Sequence, residues 1–151
     1  MGIEIERKYL VANDGYKKFE TSVVEIRQGY LSREPERTVR IRTWNDRAYI
    51  TVKGLSHGVS RCEYEYEIPY TDACEMLEMC EGPILHKRRH LVDYAGHRWE
   101  VDEFLGQLYP LVTAEIELDD EADTYELPPF VGEDVTGDAR YYNSNLMSKS
   151  E

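Results

Sequence analysis

Apolar and polar residues alternate with a period of two through most of this chain, as they do in a strand, where side chains i, i+2 and i+4 share a face. The pattern predicts strands over residues 2–10, 26–33, 37–44, 47–53, 61–68, 84–93, 97–104 and 111–119. Turns are expected at Asn45-Asp46, between Gly54 and Gly58, at Ala95-Gly96 and at Gly106. A helical period appears over 71–80, where Ala73, Met76, Leu77 and Cys80 fall on one face behind the cap candidate Thr71. Shorter helices are expected near 13–19, near 138–148, and over 121–126 before Pro128-Pro129. No linker or low-complexity tract divides residues 1–151, so one domain is expected. Many antiparallel strands with few helices predict an α+β domain around a closed or strongly curled sheet.

The parity of the strands carries the chemistry. Glu4, Glu6 and Lys8 share one face of the first strand, and Arg40 and Arg42 share one face of the third. Lys53 sits with Thr51 and Tyr49; Glu63, Glu65 and Glu67 form a stripe; Lys87 and Arg89 share a face, as do Glu100 and Asp102, and Glu115 and Glu117. An ordinary sheet with one solvated side accounts for such stripes. So does an inside-out barrel, with its apolar side under helices and its charged side lining a bore. The purity of the charge argues against a merely solvated face and brings the barrel level with it. A stripe such as Glu63/Glu65/Glu67 repels itself unless cations stand between or opposite its members.

Composition narrows the partners. A formal net charge of −12 repels nucleic acids and anionic membranes, so neither is expected as a partner. No apolar run approaches the roughly 20 residues that span a bilayer. The opening MGIEIERKYL is charged from its fourth residue and has no signal-peptide core. Cys62, Cys74 and Cys80 form no CxxC, which predicts a reduced, cytoplasmic protein without disulfides. The four histidines show no metal-ligand spacing.

The opening Glu4-Ile5-Glu6-Arg7-Lys8 resembles the ExExK signature of the CYTH family, the triphosphate tunnel metalloenzymes. The rest of the pattern follows in order: TVRIRTW with Arg40 and Arg42, ITVKG with Lys53, SRCEYEYEI with Glu63 and Glu65, HKRRHLV with Lys87 and Arg89, WEVDEF with Asp102, and AEIEL with Glu115 and Glu117. The tail GEDVTGDARYYNSNL resembles the C-terminal segment of the small bacterial members, which are inorganic triphosphatases. One departure is Arg88, where a small or hydroxyl residue is common; parity turns it away from the bore.

The resemblance implies an eight-stranded antiparallel β-barrel forming a charged tunnel, its outer face covered by helices. It implies hydrolysis of the terminal phosphoanhydride of tripolyphosphate by a metal-activated water. Arg40, Arg42, Lys53, Lys87 and Arg89 are then expected to bind phosphate together with Lys8, with Arg140 as a further contact. Mg²⁺ or Mn²⁺, as two ions, is expected on Glu4, Glu6, Glu63, Glu65, Asp102, Glu115 and Glu117, with Glu115, Asp102 and Lys8 nearest the chemistry. Trp44 and Trp99 are expected to pack on the outer face, and RYYNSNL to plug one end. The alternatives are a class IV-type adenylate cyclase, a nucleoside, thiamine or RNA 5′-triphosphatase, and a non-catalytic polyphosphate-binding module. Tight loops and no evident aromatic or amide cluster beside the charged strands favour bare tripolyphosphate. The chain is expected to act as a monomer or homodimer.

Overall fold

In a computed structural model that describes residues 2–146, the strands pair edge to edge until the ring closes. They are β1 (Gly2–Val11), β2 (Glu20–Ser32), β3 (Arg37–Trp44), β4 (Arg47–Gly54), β5 (Ser60–Ile68), β6 (Glu81–Tyr94), β7 (His97–Phe104) and β8 (Val112–Glu117). Around the barrel the order is β5-β4-β3-β2-β6-β7-β8-β1, all antiparallel. β1 closes it by splitting its partners: Gly2 to Ile5 pair with β5, whereas Glu6 to Leu10 pair with β8. A ninth strand, β9 (Val131–Asp134), lies against the far end of β1.

Local sequence sets the corners. Trp44 stands opposite Arg47, leaving Asn45-Asp46 as a two-residue turn, with Asn45 at φ 55°. Asn tolerates this left-handed region better than most residues. Tyr94 stands opposite His97, and Ala95 and Gly96 both take positive φ, 49° and 80°. That pair of signs matches the right-handed twist of the flanking strands.

The apolar side of the strands faces outward, as the inside-out reading requires. One cluster gathers Tyr9, Tyr16, Val92, Trp99, Val101, Ala114, Ile116, Leu118 and Phe130 beneath the 3-10 turn Asp14–Lys18 and the segment 118–130. A second packs Ile41 and Ala48 of β3 and β4 against Ala73 and Leu77 of α1 (Tyr70–Glu78). Each fully buried large side chain, such as Trp99, Phe130 or Ile41, contributes about 1.5–3 kcal/mol. A third cluster, of Leu85, Phe104 and Leu146, lies on the side of β6 and β7 that also carries Lys87 and Asp102. There α2 (Asn143–Leu146) closes one end of the barrel, as expected for RYYNSNL.

The covering differs from the helical layer expected. Among the described residues α1 is the only helix longer than one turn or so; loops cover the rest, and Ile3 and Tyr66 stay about 60% exposed. Segment 121–126 is not helical; a turn stands at its start, where the Asp123 amide donates to the Asp120 carbonyl, the Asp119 and Asp120 amides to the Asp123 side chain, and the Ala122 amide to the Asp120 side chain. β2 begins at Glu20, six residues before the expected 26, because polar Glu20, Thr21 and Ser22 hide the alternation while still pairing with β6. The helix expected over 138–148 divides into a 3-10 turn (Ala139–Tyr141) and α2, and residues 147 and 148 lie outside the described residues.

Candidate functional site

The charged faces of the strands meet in a cavity of about 410 Å³. Its wall carries six basic side chains (Lys8, Arg40, Arg42, Lys53, Arg61, Arg89) and seven carboxylates (Glu4, Glu6, Glu63, Glu65, Glu100, Glu115, Glu117). Strand register explains the mixture, since directly opposed residues share a face: Glu6 faces Glu117, Lys8 faces Glu115, Lys53 faces Glu63, and Arg89 faces Asp102.

Pairing is partial. Lys53 Nζ donates to both oxygens of Glu4 at 3.0 and 2.9 Å and lies 3.5 Å from Glu63. Lys8 Nζ is 3.2 Å from Glu115 and donates to the Tyr141 carbonyl at 2.8 Å, which ties the closing segment to the bore. Arg40 and Arg42 share one oxygen of Glu65, at 3.4 and 3.5 Å, and the Thr51 hydroxyl donates to the same oxygen at 2.6 Å. Among the described residues Glu6 and Glu117 have no ion-pair partner, and Arg40 Nε, Arg42 Nε and Asn143 Oδ1 are buried without a hydrogen bond. A cavity wall with unspent donors and unneutralised carboxylates is prepared for a ligand of mixed charge.

The electrostatics agree. Glu6 is held well above the usual carboxylate range, first by burial and then by Glu115 and Glu4. Glu117 is pushed up to about 7 by burial, then by Glu4, Glu63 and Glu100, although its opening to the bore lets solvent temper the effect. Burial would raise Glu115 as well, but Lys8 and the Glu6 hydrogen bond hold it well below its ordinary value. Arg42 is drawn down to about 9 by burial, then by Arg40 and Arg89. Among the described residues no group of three or more Asp, Glu, His or Cys is close enough to hold a metal ion unaided. The donor set nevertheless fits a hard divalent cation. It is all oxygen, and Mg²⁺ needs only one or two carboxylates beside phosphate oxygens and waters.

Not every expected residue reaches the cavity. Lys87 and Asp102 are 0% and 1% exposed and stand behind the wall. Asp102 accepts from Arg89 Nε and Nη2 at 2.8 and 2.9 Å, while Lys87 Nζ lies 2.7 Å from its second oxygen. Burial favours the protonated acid, but Arg89 and Lys87 prevail and hold Asp102 at about 2. One carboxylate cannot serve two cations equally: bidentate Arg89 keeps its charge, and burial brings Lys87 down to about 7 despite Asp102. Arg140 is not brought to the cavity. Its guanidinium is 66% exposed and held by Asp138, the residue that caps its own 3-10 turn.

Further residues line the cavity. Trp44, expected outside, lines the cavity with Arg42 and Arg40, whose parity it shares; Trp99 does pack outside. Tyr30, Tyr49, Tyr142 and Asn143 line it too, so aromatic and amide groups do stand beside the charged strands. Arg61 reaches the wall from the rim, where it donates to the Gly54 carbonyl at 2.6 Å and the Thr38 hydroxyl at 2.8 Å. The parity of Glu100 with Asp102 was a legible sign of its place.

A closed antiparallel barrel with cations and carboxylates interleaved on its inner wall defines a class of polyanion-binding barrels. The chain belongs to the CYTH domain family, whose model matches residues 2–149. It is 51% identical over 148 residues to an inorganic triphosphatase of Acetivibrio thermocellus, covering 97% of this chain and 94% of that protein. It is 38% identical over 149 residues to an inorganic triphosphatase of Nitrosomonas europaea, covering 95% of each. The solved structure of the inorganic triphosphatase NE1496 superposes with a TM-score of 0.68 at 35% identity, over 97% of this chain and 95% of that one.

Proposed function

We propose that this chain hydrolyses inorganic tripolyphosphate to pyrophosphate and phosphate, with Mg²⁺ or Mn²⁺ held among the carboxylates of the cavity. The observation that carries this reading is the joint lining of one cavity by Arg40, Arg42, Lys53, Arg89, Lys8 and the glutamates Glu4, Glu6, Glu63, Glu115 and Glu117. Similarity to proteins named inorganic triphosphatase supports it. Arg40 and Arg42, sharing a single carboxylate oxygen, keep donors for phosphate oxygens, and planar guanidinium forks suit such a partner. Lys53 and Lys8 exchange glutamate for phosphate as the substrate enters. Glu4, Glu6, Glu117 and Glu63 would hold the cations, with Glu65 spent mainly on Arg40, Arg42 and Thr51. Two such ions would neutralise the polyphosphate and acidify a nearby water.

The reaction is a displacement at the terminal phosphorus. A water oxygen bonds to it, the bridging P–O bond breaks, pyrophosphate leaves with that electron pair, and the water proton passes to the surrounding groups. Glu115, ionised because Lys8 stands beside it, would orient the water. Asp102 serves as a positioning residue: through its two bonds to Arg89 it aims that guanidinium into the cavity. Most of the rate then comes from fixed charges placed before the reaction begins. Three free cysteines fit a reducing, cytoplasmic setting.

The test is a panel of tripolyphosphate, ATP and thiamine triphosphate with Mg²⁺ or Mn²⁺, analysed for phosphate, pyrophosphate and cyclic AMP. Phosphate release from tripolyphosphate at far higher kcat/KM than from ATP is expected. Cyclic AMP as the main product from ATP would make the enzyme a cyclase. The aromatic wall of Tyr30, Trp44 and Tyr49 gives a nucleoside triphosphatase reading its one specific support, and comparable cleavage of ATP would decide for it.

A further inference from the structure

The indole of Trp44 lies against two of the guanidinium groups on the cavity wall. Arg42 Cζ is 5.3 Å from its ring centroid and Arg89 Cζ is 5.8 Å, although these arginines belong to strands separated by β2. The register shows how this comes about. Trp44 stands opposite Ile26 of β2, Ile26 stands opposite Lys87 of β6, and Val24 stands opposite Arg89. Val24 and Ile26 are buried, short and apolar, so β2 offers Arg89 no polar partner there; Gln28, which stands opposite Arg42, donates its amide N–H to the Tyr30 hydroxyl, and its buried oxygen makes no hydrogen bond. Arg42 is the less secured of the pair. Its one carboxylate, Glu65, is 3.5 Å away and shared with Arg40, and its Nε has no hydrogen bond. Arg89 repels it, being one of the causes of its lowered proton affinity.

We propose that Trp44 is a positioning residue for substrate binding: its ring faces hold the mutually repelling guanidiniums of Arg42 and Arg89 apart and turned to the cavity before a phosphate chain arrives. The inference rests on the triphosphate reading above. An aromatic face is attractive to a cation through its quadrupole, and the attraction grows where water is scarce. One ring serving two cations replaces a carboxylate at the place where a carboxylate would compete with the substrate for the same donors. Preorganising two long side chains in this way lowers the ordering penalty on binding. What matters is the aromatic face, not the indole N–H, so phenylalanine should substitute for tryptophan and leucine should not.

The two tryptophans of the chain make this directly observable, because the other one, Trp99, is fully buried in the outer cluster. Tripolyphosphate is titrated calorimetrically into wild type, Trp44→Phe and Trp44→Leu, with and without Mg²⁺, and tryptophan emission is recorded over the same titration. Wild-type emission should change saturably, with the calorimetric Kd, as the guanidiniums engage phosphate. Trp44→Phe, in which only Trp99 emits, should bind within about 3-fold of wild type but show no emission change. Trp44→Leu should bind about 10-fold more weakly. Should Trp44→Leu not fold, the Trp44→Phe titration and the wild-type emission still decide. Tight binding by wild type with silent emission, or equal affinity in Trp44→Leu, overturns the role of Trp44 and leaves the triphosphate reading standing. No binding of tripolyphosphate to the wild type overturns both.

Discussion

Replacing Asp102 with Asn separates a structural carboxylate from a metal ligand. Asp102 is 1% exposed, and its two oxygens accept from Arg89 at 2.8 and 2.9 Å and face Lys87 at 2.7 Å. The substitution keeps the shape, removes the charge, and leaves two cations buried in one place. Taking one partner from a buried ion pair costs about 3–5 kcal/mol, and here two pairs share the same carboxylate. Lys87 limits the loss. Burial has already brought it down to about 7, so it can shed its proton once Asp102 is gone. The sign follows from linkage: a lysine whose folded value lies below its unfolded value binds fewer protons when folded, so stability rises with pH above the folded value. Asp102→Asn should therefore lose about 3–5 kcal/mol near pH 7, and its stability should begin to climb at a lower pH than that of wild type, because Lys87 without Asp102 gives up its proton more readily. Urea denaturation of metal-free protein, with the slope checked for constancy, measures both numbers. A variant as stable as wild type but inactive would refute the reasoning and make Asp102 a ligand to metal or substrate.

Glu117→Gln should act in the opposite direction. Burial, with Glu4, Glu63 and Glu100, raises Glu117 to about 7, so the folded metal-free protein takes up a proton there that the unfolded chain releases. Stability from this group is lost as pH rises from about 5 to about 8, and the variant should abolish that part of the slope in EDTA melts while losing turnover. A less stable variant that still turns over would show Glu117 to be structural. Arg42→Ala should cut kcat/KM for tripolyphosphate about 10- to 150-fold with little change in melting, as loss of a charge-assisted bond predicts. Ile41→Ala, emptying a fully buried site beneath α1, should cost about 2–5 kcal/mol of stability; an innocuous Ile41→Ala beside an unfolded Arg42→Ala would contradict the inside-out barrel. Exhaustive chelation should abolish tripolyphosphate hydrolysis and Mg²⁺ or Mn²⁺ should restore it; undiminished turnover in chelated protein would exclude a metal requirement.

The barrel and most of its charged wall were legible because a strand has a period of two and a closed sheet has only two sides. Once Glu4, Glu6 and Lys8 are placed on one side, strand pairing forces Glu115 and Glu117 to the same side, whichever way the barrel faces. The direction itself needed Ile41, Trp99 and Ile116 to prove buried beneath α1 and the outer segments. Parity places a side chain on a face but not at a depth along the bore. Arg89 and Lys87 are indistinguishable in that respect, yet one reaches the cavity and the other lies behind it, because Leu85, Phe104 and Leu146 fill the bore at that level. Nor does parity say whether a residue's chemistry belongs to its face. Trp44 shares the parity of Arg40 and Arg42, and the habit of assigning indoles to an apolar exterior prevailed over a periodicity that pointed inward. A tryptophan among arginines is no contradiction, since the ring is apolar at its edge packing and electron-rich on its faces. Segment 121–126 misled for a local reason of the opposite kind, because Asp120 and Asp123 close a turn there with their side chains. The errors thus fall where a side chain has two physical roles, and the sequence alone does not rank them.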